Sequence, residues 1–378
     1  MSFEIKNSFF MILEEISIVN YKNIEQADLQ FSPNVNCFVG SNGMGKTNVL
    51  DTIHYLSFCK SAGGPSDYLN IRHEADFFMI KGVYRNEAGG SDTVSLAVQR
   101  GGRKRLRRND KDYRRFSEHV GLIPLVMISP SDSALVQGGS EERRKFMDAV
   151  ISQYNTAYLE SLIRYERTLK QRNALLKQEA EPDGGVFEVI EDMMAMDAAV
   201  IFEERCKFVE EFVPVFRELY NKLCNTENEE VGITYESHGF RGDLKPLLSE
   251  WRERERIVGH TLHGVHRDEL QLDFNGYPVR REGSQGQTKT YFIAMKLAQF
   301  LFLRLKGACR APILLLDDIF DKLDSGRVAR IVDYVSGSEF GQIFITDTNR
   351  RHLDLILETT CREYRLFTVR DGVIYPDC

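Results

Sequence analysis

The sequence predicts an α/β fold with an antiparallel β subdomain and an inserted α-helical lobe. Three observations support this fold class. A glycine-rich stretch at residues 40–47 lies between a predicted strand and a predicted helix, and an apolar run at 313–316 ends in two carboxylates. Between about 141 and 223, apolar residues recur at helical spacing over two long segments, which predicts a helical lobe between the two polar motifs.

The glycine-rich stretch matches the pattern G-x-x-x-x-G-K-[ST] of a phosphate-binding loop. Glycines allow the backbone N–H groups to wrap phosphates, and a helix N-terminus adds partial positive charge. We expect Lys46 to reach the β- and γ-phosphates of a nucleotide and Thr47 to offer its hydroxyl to Mg²⁺. The alternative is a chance glycine-rich turn between a strand and a helix. The residues expected to hold the nucleotide here are Gly40, Ser41, Asn42, Gly43, Met44, Gly45, Lys46, Thr47 and Asn48.

The apolar run at 313–316 suits a strand buried on both faces, and it ends at Asp317 and Asp318. Ligands of an open α/β sheet collect at the carboxyl ends of its strands. We therefore expect Asp317 to be a Mg²⁺ partner and Asp318 to orient or deprotonate an attacking water. The alternative is a buried strand whose end merely carries acidic residues.

The pattern along the chain predicts four segments. Residues 1–10 precede the strand pattern that begins at Met11, and we expect a dispensable extension. Residues 11–120 contain the phosphate loop and predicted antiparallel strands, and 121–256 form a helical lobe with an antiparallel helical hairpin that turns at 181–185. Residues 257–378 contain a hairpin, with strands at 271–274 and 277–280, and the carboxylate strand.

Composition excludes some classes of protein. No apolar run reaches the roughly 18 residues of a membrane span, and the scattered cysteines with no C-x-x-C spacing argue against structural zinc and a disulfide framework. A reducing cytoplasm is the simplest compartment. The net charge is −7, yet residues 100–115 are locally basic. This stripe is either a contact for DNA phosphates or a charged, solvated hairpin edge. The candidate DNA contacts are Arg103, Lys104, Arg105, Arg107 and Arg108.

The order of motifs resembles the head of the ABC-type ATPases, in the branch that contains the SMC proteins. The order is a phosphate loop, a long insertion, Ser-Gln-Gly-Gln at 284–287, the carboxylate strand and a Leu-Asp loop ending at Asp324. Further matches are similar to the RecF family of bacterial recombination mediators. They are Val-Asn-Tyr-Lys-Asn-Ile at 19–24, Ser-Pro-Ser-Asp at 129–132 with the Arg-Arg-containing block at 143–148, and Gly-Val-His-Arg-Asp-Glu at 264–269.

The resemblance implies a weak, Mg²⁺-dependent ATPase that serves as a switch. Asp318 stands where most ABC enzymes carry Glu, and the shorter side chain suits slow hydrolysis. The resemblance also implies a homodimer in which the signature of one subunit closes over the ATP of another. Nucleotide contacts implied in this way are Lys22, Asn23, Ser284, Gly286, Gln287 and Asp324.

The function implied by the resemblance is recombinational DNA repair, replication-fork maintenance and the SOS response. A protein of this kind binds duplex DNA and single-strand–duplex junctions, engages RecR, and acts indirectly with RecO and RecA. Two alternatives are an ABC transporter ATPase subunit and a short SMC-type chromosome protein. The long insertion argues against a compact transporter subunit, and the short helical arms argue against a long coiled coil.

Overall fold

The computed structural model describes residues 11–64, 66–86, 89–179, 184–224, 229–307, 311–320, 325–337, 340–350, 354 and 363–377. The predicted extension at 1–10, the centre of the predicted turn at 181–185 and Asp324 lie outside these residues. The strands are β1 (Met11–Tyr21), β2 (Ile24–Gln30), β3 (Val35–Val39), β4 (Phe77–Asn86), β5 (Ser91–Gln99), β6 (Arg105–Arg108), β7 (Lys111–Asp112), β8 (Leu125–Ile128), β9 (Val231–Glu236), β10 (Glu269–Phe274), β11 (Tyr277–Pro278), β12 (Ile313–Asp317), β13 (Ile343–Asp347), β14 (Tyr364–Arg370) and β15 (Val373–Pro376).

The helices alternate with these strands, which gives the α/β fold that the sequence predicts. None of those in the described ranges is both long and apolar enough to cross a membrane. They are α1 (Lys46–Phe58), α2 (Ala134–Gln137), α3 (Ser140–Ile151), α4 (Thr156–Leu176), α5 (Gly184–Cys224), α6 (Leu244–Val258), α7 (Val279–Glu282), α8 (Gln285–Leu305) and α9 (Ser325–Val335).

The chain forms two compact units. Unit 1 comprises Met1–Asp132, Lys222–Cys224 and Ile293–Cys378, and unit 2 comprises Ser133–Asn221 and Asn225–Phe292. These boundaries differ from the predicted ones at 121 and 257. β8 belongs to unit 1 because it pairs with β12, and β10 belongs to unit 2 because it pairs with β9. Strand pairing across long sequence distances therefore sets the division, and it leaves no mark on local composition.

A mostly parallel sheet in unit 1 carries the polar strand ends. Its order is β15-β14-β3-β13-β12-β8, and only β15 runs antiparallel to its neighbour. All residues of β12 and β13 are buried, as expected for strands covered on both faces. The register pairs Asp317 with Thr346 and Asp347 with Val39. The carboxyl ends of β3, β12 and β13 therefore meet at one edge of the sheet.

The second sheet of unit 1 is antiparallel, in the order β2-β1-β4-β5-β6-β7. The sequence predicts strands that begin at Met11 and that cover 24–31, 77–84 and 93–99, and the structure has strands at Met11–Tyr21, Ile24–Gln30, Phe77–Asn86 and Ser91–Gln99. The basic hairpin turns at Asn109-Asp110, as predicted. Helix α1 packs against β4, where a Cβ at Gly82 would lie 2.8 Å from Leu56 Cδ1. Gly82 is therefore what allows the helix to approach the sheet closely.

Unit 2 contains the predicted antiparallel helical pair, formed by α4 and α5. Arg172 contacts Glu191 and Arg164 contacts Asp197, so residue numbers rise along one helix as they fall along the other. The first of the two predicted long helices is not continuous, because it is divided into α3 and α4. At the start of α4, the side chain of Asn155 caps the helix by accepting a hydrogen bond from the Tyr158 N–H at 3.0 Å.

Unit 2 also contains a three-stranded sheet in the order β11-β10-β9. The hairpin turn at Asn275-Gly276 is confirmed, with both residues in the left-handed region. The predicted strand at 277–280 was wrong in its second half, because only Tyr277 and Pro278 pair with β10 and α7 begins at Val279.

Candidate nucleotide-binding site

The glycine-rich loop joins the end of β3 to the start of α1, as the sequence predicts. Gly43 has φ 81° and Gly45 has φ 112°, a backbone region that side chains other than glycine rarely adopt. Gly40 is needed for a different reason, since a Cβ there would lie 2.4 Å from the carbonyl oxygen of Val369. Gly45 is also the N-cap of α1, so the first helical amide groups lie directly after the loop.

The side chain of Lys46 lies back across the loop and is only 3% exposed. Its Nζ donates hydrogen bonds to the carbonyl oxygens of Gly40 at 2.8 Å and Ser41 at 3.2 Å. The carboxylate of Asp318 lies close by, with its Oδ2 3.6 Å from Nζ. The ammonium is thus held by neutral carbonyls and by one carboxylate beyond ordinary hydrogen-bond distance.

Thr47 and Asp317 meet although they are far apart in sequence. The Thr47 hydroxyl donates to the Asp317 carboxylate, with distances of 2.9 and 3.0 Å to its two oxygens. The Thr346 hydroxyl donates to Asp317 Oδ1 at 2.7 Å. Burial raises the pKa of Asp317, although the two threonine hydroxyls and Lys46 oppose this effect. Sequence analysis did not single out Thr346, because a threonine next to Asp347 in a strand gives no local signal.

Asp318 follows Asp317 in an unusual backbone conformation, with φ 44°. Its amide donates to Thr346, at 3.2 Å to the carbonyl oxygen and 3.0 Å to the hydroxyl oxygen. Burial raises the pKa of Asp318, and the neighbouring Lys46 ammonium lowers it in part. Asp347 ends the adjacent strand, and its Oδ1 accepts a hydrogen bond from the Asn349 amide at 2.6 Å.

The turn between β1 and β2 contacts the phosphate loop through Asn23. Asn23 Nδ2 donates to the carbonyl oxygen of Met44 at 3.1 Å, and Asn23 Oδ1 accepts from Asn48 Nδ2 at 2.7 Å. Lys22 behaves differently, because its Nζ forms an ion pair with Asp51 Oδ2 at 2.6 Å. Asp51 lies on α1 and is 2% exposed, and sequence analysis did not predict this pairing.

The signature residues at 284–287 belong to unit 2 and begin α8. Ser284 Oγ accepts from the Gln287 amide at 3.3 Å, and Gln287 Oε1 accepts from the Ser284 amide at 3.0 Å. This reciprocal arrangement is a capping box. Gln287 Nε2 also donates to Glu229 Oε1 at 3.0 Å, and Gly286 accepts from the Thr290 hydroxyl through its carbonyl.

The basic hairpin contains residues in different environments. Arg103 and Arg105 are exposed, whereas Arg107 forms an ion pair with Asp112 at 2.9 Å and Arg108 with Asp92 at 3.0 Å. Lys104 differs from its predicted role as a DNA contact. Its side chain is 14% exposed, and its ammonium contacts Asp67 at 3.1 Å, the Cys59 carbonyl and the ring of Tyr55. These internal contacts occupy the ammonium and turn it away from solvent.

Comparisons with known proteins identify the family of this chain. The family model described as the RecF/RecN/SMC N terminal domain matches residues 12–374. A DNA replication and repair protein RecF of Phocaeicola vulgatus is 54% identical over 364 residues, covering 96% of this chain and 98% of that protein. The RecF protein of Porphyromonas gingivalis is 48% identical over 366 residues, covering 97% of this chain and 100% of that protein.

Comparison with solved structures also points to the RecF family. The recombination mediator protein RecF with ATP, of the RecFOR pathway, superimposes with a TM-score of 0.86 and 27% identity, covering 98% of this chain and 99% of that chain. An Smc head domain from Pyrococcus furiosus superimposes with a TM-score of 0.58 and 17% identity, covering 97% and 96%, which shows a shared fold alone. The chain therefore belongs to the RecF/RecN/SMC family and, within it, to the RecF family of DNA replication and repair proteins.

Proposed function

We propose that the protein binds ATP with Mg²⁺, hydrolyses it slowly, and uses the nucleotide as a switch for dimerisation and DNA binding in recombinational repair. Its place is the cytoplasm, where it acts at gaps and single-strand–duplex junctions, engages RecR, and helps RecO and RecR to load RecA. The observation that carries the nucleotide site is the contact of the Thr47 hydroxyl with Asp317, beside Lys46, at the edge of the parallel sheet. Membership of the RecF family favours this function over a transporter subunit or a chromosome protein.

The loop has the charge distribution that a triphosphate requires. The Lys46 ammonium is held by two carbonyl oxygens and lies 3.6 Å from a carboxylate. It can therefore bind a phosphate without first breaking a short ion pair. The backbone amides at Gly45 and the N-terminus of α1 supply further donors. In this account residues 40–48 and Asn23 surround the phosphates, and the similar structure of a RecF protein with ATP supports nucleotide binding here.

The residues fit Mg²⁺, a cation that prefers oxygen ligands and keeps several waters. Thr47 and Asp317 supply a hydroxyl and a carboxylate that already lie in contact, and the hydrogen bonds of Asp317 come from hydroxyl groups. In the described ranges no group of three or more His, Cys, Asp or Glu side chains could hold a metal by itself, so phosphate oxygens would complete the site. When bound, Mg²⁺ neutralises charge on the β- and γ-phosphates.

Asp318 is the candidate for the group that orients or deprotonates the attacking water. Its left-handed backbone is fixed by two hydrogen bonds to Thr346, so the carboxylate direction is set by the sheet edge. Burial raises its pKa, which makes the carboxylate a better proton acceptor than an exposed one. Its side chain is one methylene shorter than glutamate, which suits slow hydrolysis.

We assign the signature to the partner subunit's nucleotide. Ser284, Gly286 and Gln287 lie at the N-terminus of the long helix α8, where a phosphate is favoured. Asp324 is expected near the same contact. A twofold dimer with two ATP molecules follows, because the loop and signature of each copy meet those of the other. The γ-phosphate is the part of the nucleotide that reaches the signature, so ADP should not hold the dimer.

The dimer is tested by sedimentation with ATP and Mg²⁺. The change Ser284→Arg places a bulky cation where the partner's loop must approach, so we expect a monomer that still binds ATP but does not hydrolyse it. The conservative change Ser284→Thr keeps the capping oxygen and serves as the control, which should dimerise. An Arg variant that dimerises like the wild type would contradict the sandwich arrangement.

DNA binding is assigned to the arginines of the basic hairpin, namely the exposed Arg103 and Arg105 and the half-buried, ion-paired Arg107 and Arg108. Arg105, Arg107 and Arg108 lie on β6 and Arg103 precedes it. We expect them to contact DNA phosphates and not to read bases. Replacing Arg105, Arg107 and Arg108 with Gln should weaken binding to duplex, single-stranded and gapped DNA alike in the presence of ATP. The slope of log affinity against log salt should fall by about 1 for each lost contact. An unchanged slope would mean that these residues are only a solvated edge.

A further inference from the structure

A buried carboxylate on the helix after the phosphate loop accepts hydrogen bonds from two other segments of unit 1. Asp51 lies on α1 and is 2% exposed. Its Oδ2 accepts from the Tyr21 hydroxyl at 2.6 Å, the Lys22 ammonium at 2.6 Å and the Ser61 hydroxyl at 2.7 Å. Its Oδ1 accepts from the Ala62 amide at 2.7 Å. One side chain therefore ties the β1–β2 turn and the segment after α1 to the helix that begins at the phosphate loop.

The β1–β2 turn bears directly on the loop. Asn23 bonds to Met44 and Asn48, and a Cβ at Gly45 would lie 2.8 Å from Asn23 Oδ1. Lys22 has φ 51°, a left-handed backbone conformation that is unfavourable for a residue with a side chain and persists only where contacts hold it. The ion pair to Asp51 is such a contact. Movement of Lys22 would therefore move Asn23, and with it the loop between Met44 and Asn48.

The charges of Lys22 and Asp51 stabilise this arrangement. Burial by itself pushes the pKa of Asp51 upward, but Lys22 and the hydroxyl donors outweigh burial, so the pKa lies below its ordinary value. Asp51 is therefore ionised at neutral pH, and Lys22 is its counter-ion in the ion pair that the structure describes. A buried carboxylate that loses its cation is costly, so the pair resists opening.

We propose that Asp51 is a positioning residue for the phosphate loop, and that Lys22 acts on the nucleotide through Asp51 and Asn23 without touching the phosphates. We call the Lys22–Asp51 ion pair the latch. The proposal rests on the proposed binding of ATP. It replaces the expectation, drawn from family resemblance, that Lys22 is itself a nucleotide ligand.

A double-mutant cycle separates the two roles of Lys22. The variants are Asp51→Asn, Lys22→Met and the double variant, and the measurement is the dissociation constant for Mg-ATP and Mg-ADP by titration. If the latch positions the loop, each single change weakens both nucleotides by a similar factor, roughly tenfold, as is typical when a supporting partner of a site is lost. The double variant should then be no weaker than Asp51→Asn alone, because the two changes break one interaction.

A direct contact predicts a different result. If Lys22 binds phosphate, Asp51→Asn frees its ammonium and does not weaken ATP, while Lys22→Met still weakens binding in the Asp51→Asn background. Undiminished ATP binding by Asp51→Asn, or weaker binding by the double variant than by Asp51→Asn, would contradict the positioning role. If Asp51→Asn does not fold, the Lys22→Met variant alone decides between the two roles. A loss of affinity confined to ATP would show a direct γ-phosphate contact, whereas an equal loss of affinity for ADP supports positioning.

The matched control is Glu25→Gln, which breaks the exposed Arg72–Glu25 ion pair at 2.9 Å near the same turn. It should leave both dissociation constants unchanged. Melting temperatures without nucleotide are recorded for every variant, and a loss of stability with unaltered dissociation constants would show a structural role only and contradict the proposal. Failure of the wild type to bind ATP would instead refute the proposed function, which keeps the two outcomes distinct.

Discussion

Two sets of buried charges, the Arg172 network in unit 2 and the phosphate-loop residues Lys46 and Asp317 in unit 1, have different kinds of partners. In unit 2, Arg172 is fully buried and bonds to Glu191 at 2.9 Å and to Glu255, both buried as well. In unit 1, the buried Lys46 bonds to carbonyl oxygens, and the buried Asp317 bonds to hydroxyl groups. The first set satisfies its charges internally, as a structural network does. The second set leaves a cation and an anion without close ionic partners, which is what a site for a charged ligand requires.

The same contrast explains two motifs that resemble RecF elements. Asp148 of the Arg-Arg block and Asp268 of the Gly-Val-His-Arg-Asp motif both bond to the buried Arg205, at 2.9 and 2.7 Å. Arg143 makes a bidentate contact with Glu269 at 2.7 and 2.9 Å. These motifs thus join α3, α5 and β10 within unit 2. Their charged residues are paired with one another, so we interpret them as structural.

The largest expected effect is on the paired network. Arg172→Met should lower the free energy of unfolding by about 3–5 kcal/mol, because it leaves Glu191 and Glu255 buried without this cation. Denaturant unfolding measures the change. Arg252→Met is the control, since Arg252 also bonds to Glu191 at 2.7 Å but is 21% exposed, and its loss should cost less. Equal losses for the two variants would contradict the distinction between the buried and the partly exposed pair.

A smaller effect of opposite sign is expected at the nucleotide site. Burial raises the pKa of Asp317 above its ordinary value of 3.8, so the folded protein binds this proton more tightly than the unfolded chain. The ionised carboxylate therefore lowers stability above its folded pKa, and this penalty disappears as the pH falls through that pKa toward 3.8. Asp317→Asn should raise the melting temperature of the nucleotide-free protein at neutral pH, and the gain should shrink as the pH falls toward about 4.

For Asp51→Asn we expect a change in stability of the opposite sign when the melting temperature is measured against pH. The pKa of Asp51 lies below its ordinary value, so its ionised form stabilises the fold, and this contribution is lost as the pH falls through the folded pKa. The Asn variant should be less stable at neutral pH, with a difference that narrows in acid. A destabilised Asp317→Asn protein at neutral pH would show that Asp317 is satisfied in the fold and not held for a ligand.

Sequence reasoning succeeded where one local pattern contains the whole signal. The strand, loop and helix around Lys46 are contiguous, and the buried run before Asp317 needs no partner to be recognised. It failed where the partner lies far along the chain. Lys22 and Asp51 are separated by 29 positions, and Lys104 contacts Asp67 across 37. Whether a basic residue faces solvent or a buried carboxylate depends on the fold, and composition does not record it.

The boundaries of the two units differ from the predicted segments for a related reason. Residues 257–292 contain β10, whose partner β9 lies in the helical segment of the sequence. Likewise β8 lies next to the helical segment but pairs with β12. The break before α4 depends on a single capping side chain, Asn155, within a run that has helical spacing on both sides. Such features follow from tertiary pairing or from one hydrogen bond, so periodicity alone does not reveal them.

The central claim is that Lys46, Thr47 and Asp317 are arranged for ATP and Mg²⁺, and titration of Lys46 variants tests it most directly. Wild type should bind Mg-ATP tightly. Lys46→Met should lose tight binding while its melting temperature without nucleotide stays close to that of the wild type, because the ion pair of Lys46 with Asp318 is long, at 3.6 Å. Lys46→Arg should keep binding but lose hydrolysis, since a guanidinium is bulkier and is not a point charge. Undiminished Mg-ATP binding by Lys46→Met would contradict the account.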